Sequence, residues 1–425
     1  MHGGSSEVCD GYDSDCSGAG GPIAGEDDDG DGHAPPTAAC GGGAPKDDCD
    51  DSMATLYGGA PELCDEVDND CDSTTSELGR LCGPSSFCFA GQECRAQQLE
   101  EIETGDKHTC ARLTELVLCW GYNGQPGDET ATARMSPTPV PGLSDVVDLT
   151  AGPYHTCALL TGGTVSCWGW NQDGQLGDGT TTGRTSPTPV PGLSGVARLA
   201  AAQDYTCALL MDGTAVCWGD YPGGTNLSPA PVPGLSGVVE LTAGQHHTCA
   251  RMEDGTVRCW GIGGTLGNGT DVWEGSLSPT PVVGLSGVVE LSAGALHTCA
   301  LLDNGSVSCW GYNEYGSIGD GTVTIRLSPT QVPGLSGVVE VSAHGWDTCA
   351  RFADGTARCW GESYGRNPTP VPGLNGAVEL STGGGHACAR LADRTAGCWG
   401  RNDYGQLGDG TTTQRVSPTL VNGLN

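Results

Sequence analysis

The chain repeats one unit seven times, and this repeat restricts the possible folds more than any other feature of the sequence. Each unit contains H-T-C-A or a variant of it, a turn, and a β-run that ends in C-W-G. Successive Cys-Trp pairs are 39 to 50 residues apart. A repeat of that length with several short β-runs indicates a propeller or a solenoid. The landmark tryptophans are Trp120, Trp168, Trp218, Trp260, Trp310, Trp360 and Trp399.

Each unit is predicted to form four short strands. In the second unit the first three cover residues 146–149, 155–160 and 164–168, and the last lies around 189–190. The second and third strands form a tight hairpin, because Asp-Gly and Asn-Gly favour the two-residue turns that join antiparallel strands. The tips read Gly162-Gly163, Asp212-Gly213, Asp254-Gly255, Asn304-Gly305 and Asp354-Gly355, whereas the seventh unit has the weaker Asp393-Arg394.

Fourteen of the 23 cysteines occur as one pair per unit. A hairpin centred on Gly162 brings Cys157 opposite Cys167, close enough for a disulfide at a non-hydrogen-bonded position. Such regular pairing indicates disulfides and an oxidising compartment. The first pair is one residue shorter, so we expect its strand register to be shifted. The predicted pairs are Cys110 with Cys119, Cys157 with Cys167, Cys207 with Cys217, Cys249 with Cys259, Cys299 with Cys309, Cys349 with Cys359, and Cys388 with Cys398.

The combined pattern resembles a known propeller repeat. G-x-x-H-T-C-A-L, then D-G-T-V-x-C-W-G-x-N-x-x-G-Q-L-G-D-G-T and P-V-x-G-L, is similar to the regulator of chromosome condensation repeat, over residues 99–425. The resemblance implies an all-β, seven-bladed β-propeller of four-stranded blades. The units are about 99–144, 145–194, 195–236, 237–286, 287–336, 337–375 and 376–425. Units three and six have short loops at 220–224 and 362–365, so two neighbouring loops are expected to be missing from one rim.

Residues 1–98 differ in composition, with 21 acidic and 3 basic residues and nine cysteines. The motif C-D-x-x-D-x-D-C occurs twice, and alternate carboxylates in a tight loop suit Ca²⁺. Residues 7–72 resemble the Asp/Cys-rich metal-binding repeat of bacterial secreted and surface proteins, which implies a metal, here calcium, in a loop-rich N-terminal stalk. The alternative is a solvated acidic spacer. The candidate ligands are Asp10, Asp13, Asp15, Asp27, Asp29, Asp31, Asp65, Asp68, Asp70 and Asp72.

The formal net charge of −34 restricts the partners. Such a surface repels phosphate backbones and anionic membranes, and it attracts cations and basic protein surfaces. No apolar run is long enough to cross a bilayer. The start carries no basic and apolar signal-peptide pattern, so we interpret the chain as the mature region or a fragment of an extracellular or cell-surface protein with a monomeric head.

Two recurring sets of polar residues are candidates for chemistry. A histidine precedes the first cysteine of five units, and Tyr205 and Asp347 replace it in the others. A histidine ring could bind metal or carry protons, but recurrence with the repeat favours a structural bond to a neighbouring backbone. Asp178, Asp320 and Asp409 in G-D-G-T are likewise interpreted as turn formers. The histidines are His108, His155, His247, His297 and His386.

Recognition is the predicted function. Repeat scaffolds present variable residues on a rigid frame, and aromatic residues are enriched at binding hot spots. We therefore predict a protein or glycan partner on the propeller rim, with no catalytic or cofactor-binding residues. An extracellular hydrolase or lyase with a site at the propeller centre is the alternative, and guanine-nucleotide exchange, an activity within the resembling family, is the weakest. The contact candidates are Trp170, Tyr221, Trp273, Tyr312, Trp346 and Tyr364, with Tyr122 and Tyr404 beside them.

Overall fold

The computed structural model describes residues 86–89, 93–122, 127–270 and 275–424. It divides into two compact units, Met1–Gln97 and Gln98–Asn425. In the first unit, β1 (Ser86–Phe89) pairs with β2 (Glu93–Ala96) in antiparallel orientation. The described part of the second unit consists of seven four-stranded sheets without helices.

The seven sheets, blades 1 to 7, each use four consecutive strands in the order of the chain. Blade 1 contains β3 (Leu99–Thr104), β4 (His108–Leu113), β5 (Val117–Gly121) and β6 (Arg134–Pro139). Blade 2 contains β7 (Val146–Ala151), β8 (His155–Leu160), β9 (Val165–Gly169) and β10 (Arg184–Pro189). Blade 3 contains β11 (Val196–Ala201), β12 (Tyr205–Leu210), β13 (Ala215–Tyr221) and β14 (Gly224–Pro231). Blade 4 contains β15 (Val238–Ala243), β16 (His247–Met252), β17 (Val257–Gly261) and β18 (Ser276–Pro281).

The remaining blades follow the same plan. Blade 5 contains β19 (Val288–Ala293), β20 (His297–Leu302), β21 (Val307–Gly311) and β22 (Arg326–Gln331). Blade 6 contains β23 (Val338–His344), β24 (Asp347–Phe352), β25 (Ala357–Gly361) and β26 (Gly365–Pro370). Blade 7 contains β27 (Ala377–Thr382), β28 (His386–Leu391), β29 (Ala396–Gly400) and β30 (Arg415–Leu420). The bounds predicted for the first three strands of blade 2 agree with the structure. The fourth strand was predicted around residues 189–190, whereas it covers Arg184–Pro189.

The ring closes without exchange of a strand between its ends. The first strand of every blade contacts the first strands of its two neighbours, and β27 of blade 7 contacts β3 of blade 1. At this last junction Glu379 Oε1 accepts the Ile102 N–H at 3.1 Å, and Ser381 Oγ accepts the Thr104 N–H at 2.9 Å. Side chains of blade 7 therefore bind the exposed edge of the innermost strand of blade 1.

All seven predicted disulfides are present, one in each hairpin of the second and third strands. Every pair has a Cα–Cα distance of 4.1 Å, which is typical of a non-hydrogen-bonded pair. The pairing predicted from the hairpin geometry is therefore confirmed in every blade. In chain order, the bonds join Cys110 to Cys119, Cys157 to Cys167, Cys207 to Cys217, Cys249 to Cys259, Cys299 to Cys309, Cys349 to Cys359, and Cys388 to Cys398.

The register shift expected for the first cysteine pair is wrong. Cys110 is aligned with Cys119, and His108 is aligned with Gly121, as in the other blades. The missing residue is absorbed by a tighter tip, where the Leu113 N–H bonds the Leu116 carbonyl at 2.7 Å. The turn therefore changes its length without moving the strands that it joins.

The seven landmark tryptophans lie in the wedges between blades. Each is at most 1% exposed, and each packs against apolar residues of the preceding blade. A buried aromatic side chain of this size contributes a large part of the apolar area of its interface. The wedge tryptophans therefore compensate for the scarcity of phenylalanine, which occurs only three times.

The hairpin tip of blade 7 is strained in the way that its sequence suggests. Arg394 has φ +71°, whereas Gly213, Gly305 and Gly355 have φ between +75° and +78° at the equivalent place. A left-handed conformation costs an L-residue roughly 1–2 kcal/mol, and glycine avoids that cost. We expect Arg394→Gly to raise the free energy of unfolding by about 0.5–1 kcal/mol after its larger chain entropy is counted. Urea unfolding of both proteins tests this, and a less stable variant would contradict it.

Candidate functional site

A recurring hydrogen bond from a histidine to a threonine joins neighbouring blades at five of the seven junctions. His155 Nε2 of blade 2 lies 2.8 Å from Thr206 Oγ1 of blade 3, and this hydroxyl donates to the Gln175 carbonyl at 2.9 Å. The same carbonyl accepts Trp218 Nε1–H at 2.8 Å. Gln175 lies in the long loop between β9 and β10, so one carbonyl of this loop binds two side chains of the following blade.

The five histidines that form these hydrogen bonds between blades have a structural role. The threonine hydroxyl donates to a carbonyl, so it accepts from the histidine, which therefore carries its proton on Nε2. Burial lowers the pKa of each of the five histidines to about 3, and they remain neutral. The structural interpretation is supported, but the partner is a threonine hydroxyl rather than the expected backbone. The five pairs are His108–Thr156, His155–Thr206, His247–Thr298, His297–Thr348 and His386–Thr109, at 2.7 to 3.0 Å.

The aspartates of G-D-G-T hold the long loops in shape. Asp178 Oδ1 accepts the Thr180 N–H and hydroxyl at 2.9 and 2.7 Å, and Arg184 bonds its other oxygen at 2.6 Å. Burial opposes ionisation, but these donors lower the pKa of Asp178. The same arrangement recurs at Asp320 and Asp409. These carboxylates are turn formers, as predicted.

The short loops belong to blades 3 and 6, so the expectation that the two missing loops are neighbours is wrong. The connections between third and fourth strands, and those between first and second strands, emerge at one end of the blades, which we call the loop rim. In blade 3, Tyr221 takes the place of a long loop and is only 8% exposed. Trp260 Nε1 of blade 4 then has no hydrogen-bond partner among the described residues.

The junction of blades 6 and 7 departs furthest from the repeat. Asp347 stands where five blades have histidine, and Ala387 stands where blade 7 would have the accepting threonine. The long loop is also replaced by residues 362–364. All three parts of the blade-to-blade chain are thus absent from this junction.

Two buried polar groups of this junction are left unsatisfied. In the described structure, neither Trp399 Nε1 nor the Tyr364 hydroxyl has a partner in hydrogen-bond geometry. The two groups lie against each other: burial and the charge of Asp347 raise the pKa of Tyr364, and the indole N–H of Trp399, which faces the phenol oxygen, opposes that rise. The pair does not meet hydrogen-bond geometry, so the indole has the Tyr364 oxygen beside it where the long loops supply a carbonyl elsewhere.

A cavity of about 610 Å³ opens at this junction and continues across the end of the central channel. Its wall at blades 6 and 7 consists of Asp347, Glu362, Tyr364, Trp399 and Arg401. The opposite wall is built from the innermost-strand ends of other blades, where small residues such as Ala202, Ala243 and Gly294 stand beside Gln203 and Gln245. The missing loop therefore leaves a deep recess that joins the channel mouth.

Asp347 is the carboxylate most altered by this recess. It is 3% exposed, and its Oδ1 accepts the Ser363 N–H at 2.8 Å. Burial raises its pKa to about 6, and the negative charge of Glu362 acts in the same direction. Asp106, across the channel, is paired instead, because His344 Nε2 lies 3.1 Å from its Oδ1. The recess thus holds one carboxylate without a basic partner among the residues described.

Two equivalent tryptophans allow the free energy of the missing hydrogen bond to be measured. Trp360 Nε1–H donates to the Ser317 carbonyl at 2.9 Å, whereas Trp399 Nε1 has no acceptor in the described structure. Trp360→Phe and Trp399→Phe remove the same volume, so their difference isolates the hydrogen bond. We expect Trp360→Phe to cost about 1–2 kcal/mol more of unfolding free energy than Trp399→Phe. Equal losses in guanidinium unfolding would contradict the assignment.

The predicted contact aromatics have different surroundings. Trp170 is 47% exposed, and Trp346 stacks at 5.1 Å on Tyr315 beside the recess. Tyr221 is buried and packs in the apolar cluster between blades 3 and 4. Tyr221 and Tyr312 line a second cavity of about 610 Å³ below the short loop of blade 3, and Tyr364 lines the recess. Trp273 lies outside the described residues.

A tyrosine cluster around a lysine escaped the sequence analysis. Lys107 Nζ lies 5.2 to 5.7 Å from the ring centres of Tyr122, Tyr154 and Tyr404, and the rings of Tyr122 and Tyr404 meet edge to face. A cation over several aromatic faces is held by their quadrupoles. The three tyrosines come from blades 1, 2 and 7, so only ring closure brings them together.

Glutamates of the first strands bond the innermost strand of the next blade. Glu240 accepts a hydrogen bond from Arg251 at 2.6 Å, and Glu340 from Arg351 at 2.5 Å. Their second oxygens accept backbone N–H groups of the next blade, Leu291 and Leu380. Glu290 faces Leu301 in place of an arginine. Burial and the nearby Glu340 and Glu240 raise its pKa to about 8.

The predicted metal ligands Asp10 to Asp72 lie outside the described residues. Within residues 86–89, 93–122, 127–270 and 275–424, no cluster of three or more histidine, cysteine or acidic side chains is arranged to hold a metal ion. The same ranges contain no helix long and apolar enough to cross a membrane.

Three sequence families match the chain. Two are described as Regulator of chromosome condensation (RCC1) repeat, one at 146–175, 238–266, 288–317 and 377–406, the other at 162–209, 304–351 and 398–425. The third, labelled for copper binding and described as "Putative metal-binding motif", matches 1–20 and 48–77. It includes both C-D-x-x-D-x-D-C motifs but not Asp27 to Asp31. No curated protein matches the chain.

Solved propellers share the fold at low identity. Yeast RCC1 (Prp20) bound to Kap60 is 22% identical, over 76% of this chain and 84% of that one, with a TM-score of 0.65. Prp20p from Saccharomyces cerevisiae, described with its binding properties to Gsp1p and histones, is 22% identical over 76% of this chain and 87% of that one, with a TM-score of 0.65. Human WBSCR16 is 19% identical over 72% of this chain and 94% of that one, with a TM-score of 0.65. The chain therefore carries regulator of chromosome condensation repeats in a seven-bladed propeller, preceded by a segment that matches a metal-binding motif.

Proposed function

We propose that the propeller is the binding head of an extracellular or cell-surface protein, and that it recognises a protein partner through its loop rim. One observation carries the proposal: where blade 6 lacks its long loop, a cavity of about 610 Å³ exposes a recess with buried polar atoms that have no partner in the described structure. An unpaired buried donor costs roughly 1–3 kcal/mol, so a ligand that supplies an acceptor recovers that energy.

The disulfides and the charge support the proposed setting. Disulfides persist in oxidising compartments, so an encounter with a cytosolic GTPase is disfavoured. Residues 99–425 contain 31 acidic and 15 basic side chains, which favours basic partner surfaces. A glycan partner has no specific support from the rim.

The test compares the loop rim with the opposite end of the propeller. Partner capture from the native extracellular milieu is measured with the unchanged chain and with two variants. One receives the blade 5 loop, residues 312–325, in place of residues 362–364. The other, a matched control, receives a longer hairpin tip at Gly355, at the opposite end. We expect the first graft to abolish capture and the second to leave it unchanged. Capture that is lost only with the tip variant would contradict the proposal.

We further propose that the N-terminal segment binds calcium through its two C-D-x-x-D-x-D-C motifs. Crowded carboxylates repel one another unless a hard cation neutralises them. Calorimetric titration of the full chain with Ca²⁺ should give saturable binding, which Asp68→Asn and Asp70→Asn together weaken at least tenfold. Binding of Cu²⁺ but not Ca²⁺ would replace calcium by copper, and no binding of either would leave the acidic spacer as the better interpretation.

Hydrolysis at the propeller centre is a second candidate, favoured by Asp347. A carboxyl group with a pKa of about 6, close to a second carboxylate, Glu362, resembles a general acid beside a base or nucleophile. If this function holds, Asp347→Asn should remove activity towards a panel of glycoside and peptide substrates, and kcat should fall above pH 6 as the acid ionises. Turnover of none of these substrates by the unchanged chain would remove this candidate.

A further inference from the structure

We propose that the recess at blades 6 and 7 binds a loop of the protein partner that presents a backbone carbonyl to Trp399 and a lysine or arginine side chain to Asp347. The inference rests on the proposed binding function, and it names the chemistry of what enters the recess.

The carbonyl follows from comparison of the blades. Trp120, Trp218, Trp310 and Trp360 each donate their indole N–H to a backbone carbonyl of the preceding blade's long loop, at 2.8 to 3.0 Å. Trp399 occupies the same position, is 1% exposed and lines the recess, yet has no acceptor within the described structure. The geometry that would satisfy it is known from the four other blades: a carbonyl carried on a turn.

The space matches such a turn. In the long loops, a glycine with a left-handed φ follows the carbonyl residue by two positions and rests on the indole. Gly319 has φ +76°, and a Cβ there would lie 2.7 Å from Trp360 Nε1. The apolar residue between them, Ile318, is fully buried. At Trp399 the Tyr364 ring covers part of this apolar position but supplies no carbonyl. Because the indole N–H is buried beneath the Tyr364 side chain, a turn that reaches it must displace that ring.

The basic side chain follows from charge. Among the described residues, the Asp347 carboxylate is bonded only by Ser363, and the neighbouring Glu362 adds a second negative charge. Two arginines of blade 7 line the cavity: Arg401 is 66% exposed and directed towards Asp403 at 3.8 Å, and Arg415 is paired with Asp409 at 2.7 Å. An opposite charge beside a buried carboxylate is strongly favoured, because low dielectric strengthens the attraction. A second copy of this acidic chain is a poorer occupant than a basic segment.

The junction of blades 3 and 4 is the natural control. Trp260 also lacks an acceptor within the described ranges, and its loop is also short. There, however, the residue equivalent to Asp347 is Tyr205, whose hydroxyl lies 2.6 Å from the His247 carbonyl and 2.9 Å from Thr248 Oγ1. At this junction the tryptophan lacks an acceptor, but no carboxylate stands at the position of Asp347. The junction therefore separates the proposed carbonyl contact from the proposed basic contact.

The test uses a library of disulfide-closed random peptide loops displayed on phage and selected against the full chain at pH 7.5. We expect selected loops to contain a lysine or arginine. Synthetic copies should bind Asp347→Asn at least tenfold more weakly and Trp399→Phe about fivefold more weakly, while Trp260→Phe binds as the unchanged chain does. Changing the basic residue of the peptide to glutamine should abolish the difference between Asp347→Asn and the unchanged chain.

Several outcomes would overturn the inference. These are selection of no loops, of loops without a basic residue, or of loops whose affinity is the same for Asp347→Asn, Trp399→Phe and the unchanged chain. The two variants must first show the unfolding midpoint expected of folded chains. If the native partner is captured equally by the unchanged chain and by both variants, the inference fails while the binding function stands. If the loop-graft variant also captures it, the rim function fails as well.

Discussion

Replacing Glu290 by glutamine is expected to stabilise the propeller at pH 7.5, by roughly 2–4 kcal/mol of unfolding free energy. Unfolded Glu290 ionises near its ordinary pKa of 4.5, whereas the folded chain holds the proton until about pH 8. The unfolded state therefore binds fewer protons between these values, and stability falls as pH rises from 4.5 to 8. Glu290 is only partly buried, so solvent screens its charge and we expect a stabilisation near the lower end of this range, about 2 kcal/mol.

The pH dependence and two matched variants make this result specific. The advantage of Glu290→Gln should shrink as the pH falls and disappear at about pH 3.5, because the side chain is then neutral in both the folded and the unfolded state. Glu240→Gln, which removes a carboxylate already paired with Arg251 at 2.6 Å, should not stabilise. Leu301→Arg supplies the arginine that Glu240 and Glu340 have, so it should flatten the dependence between pH 4.5 and 8. Unfolding by urea at several pH values measures all three, and a stabilisation independent of pH would contradict the account.

Removal of one blade disulfide has the second large expected effect. Cys299 and Cys309 are fully buried and close a loop with a sequence separation of 10. Closing a loop of this size restricts the unfolded chain and stabilises by about 3 kcal/mol in the chain-entropy model. The double variant Cys299→Ala with Cys309→Ala should therefore lose about that amount in guanidinium unfolding under oxidising conditions.

Reducing conditions provide the control. When dithiothreitol opens all seven bonds, the unchanged chain loses the same constraint in blade 5, so its difference from the double variant should shrink below about 1 kcal/mol, the residual packing of two sulfur atoms. A difference that stays near its oxidised size would show that the cysteines stabilise by packing and not by covalent closure. The unchanged chain should itself lose much of its stability on reduction.

The sequence was informative wherever the relevant partners are close along the chain. Cys157 and Cys167 are ten residues apart in a hairpin, so turn chemistry and strand alternation were sufficient to pair them. The same reasoning failed for the tip of blade 1, because a shorter turn absorbed the missing residue without changing the pairing. The turn role of Asp178 was also local, since its partners Thr180 and Arg184 lie within six residues.

The candidate site could not be predicted from such short-range relations. Asp347, Ala387 and the short loop at 362–364 each break the repeat visibly in the sequence, but nothing in their order says that they belong to one junction. Their connection depends on the rule that a histidine of one blade bonds the threonine of the next, 48 to 51 residues ahead in the chain where the pairs run forward. That rule became visible only from the packed blades.

By itself, the sequence determined the number of blades, their hairpins and their disulfides, because each of these follows from short-range spacing and turn preferences. Only the tertiary structure decided which side chains meet between blades, how blade 7 binds the edge of blade 1, and where the missing loop leaves Trp399 and Asp347 uncovered. The physical reason is that contacts between blades depend on closure of the whole ring, which fixes the position of every junction at once.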